Sequence, residues 1–167
     1  YEIMPSLVGS EMCIRDRAML SLLVCLMFTG CSNSETNSTS RGLTDFAHIE
    51  EEYLATIDSL NWPDGITLPD KLEDEDTGAS FQVGYGETRA SYLWEYSWMK
   101  EWLDTYNTDP ERAEKALEEL EKAFDMPYMG IDRCDDATRN YLRENIDKAK
   151  LGDPSGFTES IRANYAN

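Results

Sequence analysis

Glu95 stands in unusual company for a carboxylate. Trp94, Trp98 and Trp102 recur every four residues, and Glu95 follows the first of them. On a helix its azimuth falls inside the aromatic face, between the tryptophans and Met99. A carboxylate buried there must find a partner or stay protonated. It could then act as a general acid, or touch a ligand, in an aromatic pocket. The structural alternative is a pairing with Arg89, Arg139, Arg143 or a tyrosine hydroxyl. The stripe Trp94, Trp98 and Trp102 could likewise form a sugar-stacking platform, but aromatic residues at helical spacing more often build a core. The core and the structural pairing are the preferred readings. Glu95, Trp94, Trp98 and Trp102 remain the candidate ligand-binding residues.

Other constellations carry less chemistry. Glu73-Asp74-Glu75-Asp76-Thr77-Gly78 alternates acids like an oxygen-ligated cation loop. Its glycine comes one place late, and Tyr85 stands where a closing glutamate would fall. A solvated acidic loop is the better reading. Gly84-Tyr85-Gly86 ahead of a helix has the look of a phosphate loop, but Arg89 occupies the third glycine position. Glu87 would also repel an anion there. A turn permitting close backbone packing fits better. His48 is the single histidine, so no Ser-His-Asp or Cys-His set and no Cys/His metal spacing can be assembled. No catalytic residue, metal or cofactor is expected.

The elements that position these residues are helical. In Asp45–Leu60, apolar residues Phe46, Ile49, Tyr53, Ile57 and Leu60 recur at three and four. Thr44 or Asp45 caps the start, and Asn61 and Pro63 end it. Residues 61–80 form a long irregular loop with Pro63, Gly65, Pro69 and Gly78, pinned by Trp62, Ile66 and Leu68. Phe81–Gly86 alternates briefly but lacks a partner strand, so it is an extended lead-in. A second helix, Glu87–Tyr106, places Tyr92, Tyr96, Met99, Leu103 and Tyr106 beside the tryptophans. That arc is wider than a surface helix needs, so this helix is central and packed on at least two sides.

A third helix starts at Asp109-Pro110 and faces Ala113, Leu117, Leu120 and Phe124 inward. Glu111 with Lys115 and Glu118 with Lys122 are favourable pairs on its wet side. Pro127 and Gly130 separate it from a fourth, Asp136–Lys150, with Tyr141, Leu142, Ile146 and Ala149 inward and a stop at Gly152. Asp153 and Pro154 start a short last helix carrying Phe157, Ile161 and Tyr165. There is no internal repeat and no convincing sheet. The expected fold is all-α: four main helices and a short C-terminal fifth, as one domain over residues 44–167.

What precedes the domain has a different character. Ala18–Phe28 is an uncharged apolar run of 11 residues, followed by Thr29, Gly30 and Cys31. Its length suits a signal-peptide core and is too short to span a bilayer. The ending Phe28-Thr29-Gly30-Cys31 resembles the lipobox of bacterial lipoproteins, with Phe28 where an aliphatic is usual. The resemblance implies lipidation of Cys31 and cleavage before it. Ser32–Gly42 is polar and suits a flexible tether, so residues 31–43 are expected to hold the domain off the headgroups. Residues 18–30 are then the signal peptide. Tyr1–Arg17 resembles sequencing-adapter read-through, and because the only basic n-region residues, Arg15 and Arg17, lie within it, the natural start is expected to be missing.

The chain carries a formal charge of −18; residues 1–30 hold three acids and two bases, leaving about −17 beyond them. Such acidity argues against nucleic acid or anionic lipid surfaces as partners. Of four cysteines, only Cys134 lies beyond Cys31, so no disulfide framework exists and a buried thiol is expected. The leading expectation is a non-enzymatic, lipid-anchored envelope module that binds another envelope protein or a small ligand. It would be membrane-held through acyl chains on Cys31, and the lipoprotein resemblance, with Ser32 directly after the lipidated cysteine, implies the outer membrane, facing the periplasm, in a host with two membranes. The alternative is a hydrolase or carbohydrate-binding protein using Glu95 in a tryptophan-rich pocket.

Overall fold

The computed structural model describes residues 42–73 and 75–165; Cys31, the signal segment and most of the tether lie outside them. In chain order the elements are β1 (Leu43–Thr44), α1 (Phe46–Ser59), β2 (Phe81–Gln82), α2 (Tyr85–Thr105), α3 (Pro110–Glu121), α4 (Asp136–Lys150) and α5 (Ser155–Asn164). Two short 3-10 turns, Lys122–Asp125 and Pro127–Met129, join α3 towards α4. The fold is all-α.

Local chemistry accounts for the boundaries. Asp45, Asp109 and Asp135 each precede a helix and accept a backbone N–H from the third residue on: His48 at 3.1 Å, Arg112 at 3.2 Å and Thr138 at 2.7 Å. Pro110 occupies the first turn of α3, where its missing N–H costs nothing. Gly152 takes a positive φ of 79° just past α4, the usual exit from a helix.

Helix α2 is the centre, packed by α1, α3, α5 and the Pro127–Met129 turn. It divides two apolar clusters. Trp94, Trp98, Met99 and Trp102 join Leu120, Tyr128, Leu142, Ile146 and Phe157 in the larger one. Ala90 joins Ile49, Tyr53, Ile57, Leu72 and Phe81 in the smaller. Trp62 packs against both, so the 61–80 loop is held although it lacks regular structure.

Several expectations need correction. The Phe81–Gly86 lead-in does have a partner: Phe81–Gln82 pairs antiparallel with Leu43–Thr44, a strand too short for periodicity to reveal. Helix α2 begins at Tyr85, two residues before Glu87, because Gly84 turns the chain with φ +88°. Tyr141 is not inward but 41 % exposed. The buried stripe of α4 is Leu142, Asn145, Ile146 and Ala149, and Tyr141 lies one step off it. Tyr92 is also 41 % exposed, its ring edge packed on Tyr128 while its other side meets solvent. Ile66 is exposed; Leu72 is the buried aliphatic of that loop.

Candidate functional site

Glu95 is buried, 7 % exposed, and its partner is the hydroxyl of Tyr128, which donates to Oε2 at 2.7 Å. Burial pushes the carboxyl up from 4.5 to about 7, against the stabilising hydrogen bond from Tyr128. The same burial and the Glu95 charge raise Tyr128 far above an ordinary phenol. Tyr92 packs edge-on against Tyr128 with centroids 5.5 Å apart. Tyr165, at the end of α5, donates to the Tyr92 carbonyl at 3.2 Å and packs on Tyr96 at 4.8 Å. Glu95 therefore sits in a tyrosine cluster that joins α2, the Pro127–Met129 turn and the end of α5.

The three arginines considered for Glu95 are engaged elsewhere. Arg89 meets Glu75 at 3.4 Å. Arg139 donates to the carbonyls of Met129 and Cys134 and pairs with Asp136. Arg143 lies over the Phe124 ring at 4.6 Å.

The tryptophans face another way. Trp94, Trp98 and Trp102 are 1, 1 and 2 % exposed. The indole N–H groups of Trp94 and Trp98 both donate to the Asn61 carbonyl, at 2.8 and 3.2 Å. Trp62 donates to the Ile57 carbonyl at 2.9 Å. Buried indoles seek partners for their polar hydrogens, and here they close the end of α1 onto α2. Lys115 covers the Trp98 ring at 5.8 Å. Trp102 stacks on Tyr106 and meets Phe157 edge-on, with centroids at 4.6 and 5.4 Å. The structure thus separates Glu95 from the stripe: the carboxyl belongs to a tyrosine cluster, the indoles of Trp94 and Trp98 to the α1–α2 seam, and Trp102 to the contact with Phe157 of α5.

The start of α2 resolves the two loop motifs. Both carboxylate oxygens of Glu52 receive its free N–H groups, from Gly84 at 2.7 Å and from Gly86 at 3.2 Å. The place a phosphate would take is filled by the chain's own anion. Arg133 covers the same turn, donating to Glu87 at 2.6 Å and lying against Gly84, where a Cβ would meet its guanidinium at 2.2 Å. The neighbouring acidic loop spends its side chains internally. Glu75 accepts from the Tyr85 hydroxyl at 2.7 Å, Asp76 accepts from the Gly78 N–H at 2.9 Å, and Glu73 pairs with Lys71 at 2.9 Å. Asp74 lies outside the described residues.

Sequence reasoning missed Glu52 and Tyr128. Glu52 belongs to the run Glu50-Glu51-Glu52, which reads as a wet face. Tyr128 sits between helices, where no periodicity marks it as core. Cys134 is half-buried, with Sγ 3.5 Å from Met129 Sδ, and burial pushes its thiol up. Among the described residues, no group of three or more His, Cys, Asp or Glu is placed to hold a metal ion, and no helix is long and apolar enough to cross a membrane. Comparison of the chain with protein-family models, curated proteins and solved structures finds no match.

Proposed function

We propose that this chain is a lipid-anchored protein of the bacterial envelope whose helical domain is a binding or interaction module, not an enzyme. The observation that carries the reading is the order of segments ahead of the domain. An apolar run ends at Phe28-Thr29-Gly30-Cys31, and a polar stretch leads from there into α1. Two or more acyl chains on Cys31 would anchor stably, at roughly 0.8 kcal/mol per buried CH2. The domain supports the second half of the reading through what its polar groups already do. The Glu95 carboxyl is closed off under Tyr128, and two indoles of the stripe spend their N–H groups on Asn61.

The runner-up, a hydrolase or carbohydrate-binding protein, draws on the Glu95 carboxyl at about 7, where a general acid operates. Such an acid must reach a substrate proton, and burial beneath the tyrosines opposes that.

Cys31→Ser tests the anchor. The substitution should move the protein from the membrane to the soluble fraction and abolish labelling by a fatty-acid analogue. Unchanged fractionation would sink the proposal.

A further inference from the structure

A surface groove of about 450 Å³ lies between α2, α3 and the end of α4. That volume is within the range of small-molecule sites, roughly 300–1,000 Å³. Trp102, Tyr106, Ala113, Leu117 and Ala149 give it an apolar and partly aromatic floor. Glu114, Glu118, Glu121 and Lys150 line it with charge. Lys150 pairs with Glu121, so Glu114 and Glu118 are left with no hydrogen bond or ion pair to any described residue.

This uncompensated charge is a product of the fold. Helical spacing would give Lys122 to Glu118, but Lys122 turns to the buried Glu119 at 2.6 Å. Glu114, Glu118 and Glu121 then succeed one another along one side of α3. Like charges at such spacing destabilise a helix by a few tenths of a kcal/mol per pair. A ligand with positive charge relieves that repulsion, and the acidic chain as a whole draws cations towards it.

We infer that this groove binds a small organic cation: an ammonium or guanidinium group between Glu114 and Glu118, with an apolar or aromatic body on the floor at Tyr106 and Leu117. Aromatic faces attract cations, and apolar burial holds the body. The inference deepens the binding-module reading and rests on it, naming the site and the ligand class.

The test is an NMR titration of the 15N-labelled full chain in detergent with phenethylammonium, and in parallel with 3-phenylpropionate, which has a similar body and the opposite charge. The ammonium should produce saturable shifts centred on residues 102–121 and 149–152, and the carboxylate none. The double variant Glu114→Gln/Glu118→Gln should keep the helical spectrum and bind the ammonium about tenfold more weakly, the loss of one charge-assisted hydrogen bond. Equal binding of both probes, undiminished binding by the double variant, or no saturation overturns the inference. So do shifts in this groove that follow protein concentration without probe, because a second copy would then occupy it. If the groove fails while Cys31→Ser still releases the protein from membranes, the anchored-protein reading stands and only the site falls.

Discussion

Gly86 and Ile49 touch backbone to backbone: a Cβ built on Gly86 would stand 1.8 Å from the Ile49 carbonyl oxygen. The start of α2 therefore crosses α1 at a distance that only glycine permits. Gly86→Ala should force the two helices apart and lower stability by at least 1–3 kcal/mol, about the range for overpacked sites. Gly78→Ala is the control. Its Cβ would meet only Asp76 Oδ1 at 3.4 Å, and the urea midpoint should barely change. Similar midpoints for the two variants would show that the close crossing is not required.

Glu52 works at the same junction. Its carboxylate caps two N–H groups of α2, and charge-assisted hydrogen bonds are the stronger kind. Glu52→Ala should cost about 1–3 kcal/mol, and Glu52→Gln, which keeps a single acceptor oxygen, should fall between it and the parent. Urea unfolding at neutral pH checks the ranking. A Gln variant as weak as Ala would show that charge rather than hydrogen bonding dominates; an Ala variant as stable as the parent would remove the cap from the account.

Trp98 tests the central helix. Truncating a buried tryptophan costs about 3–5 kcal/mol, and Trp98 also loses its bond to Asn61 and its cover by Lys115. Trp98→Ala should lower the thermal midpoint sharply. Lys100→Ala removes an exposed pair with Asp104 and should change it little. The parent's tryptophan emission should be blue and resist iodide quenching, since three of the four indoles are buried. Red, readily quenched emission would contradict the burial.

The helices were legible because their apolar residues keep the 3.6 period and because α1, α3 and α4 are capped by aspartates with short reach. Ile49, Tyr53, Ile57, Leu142 and Ile146 all fall where periodicity places them. What escaped was non-local. Leu43–Thr44 and Phe81–Gln82 pair across an entire helix and loop, and two-residue strands hold no period. The place of Glu95 inside the arc was readable, but its partner was not. Tyr128 comes from an aperiodic turn 33 residues on, and only the fold decides which of several donors arrives. The pairs assigned from helical spacing failed for a similar reason: Lys122 and Lys115 had better partners in Glu119 and the Trp98 ring.

Glu95 gives the pH prediction. Its carboxyl is raised in the folded protein, from 4.5 to about 7, so the folded state holds its proton more tightly than the unfolded chain does. The stabilising contribution is therefore complete below about pH 4.5 and is lost as pH rises through about 7, the reverse of an ordinary paired carboxylate. The rise corresponds to roughly 3 kcal/mol across that window. Glu95→Gln keeps an acceptor for the Tyr128 hydroxyl and cannot ionise. Other carboxylates titrate in both proteins, so the informative quantity is the difference between them. From pH 5 to pH 8 the parent should lose stability relative to Glu95→Gln by an amount of that order. Urea unfolding at closely spaced pH values measures it, and the near-ultraviolet signal of the tyrosine cluster should weaken in the parent alone over the same interval. A constant difference across the window would mean that Glu95 is ionised and solvated in the folded protein, which contradicts its burial under Tyr128 and removes the raised carboxyl on which the general-acid reading draws.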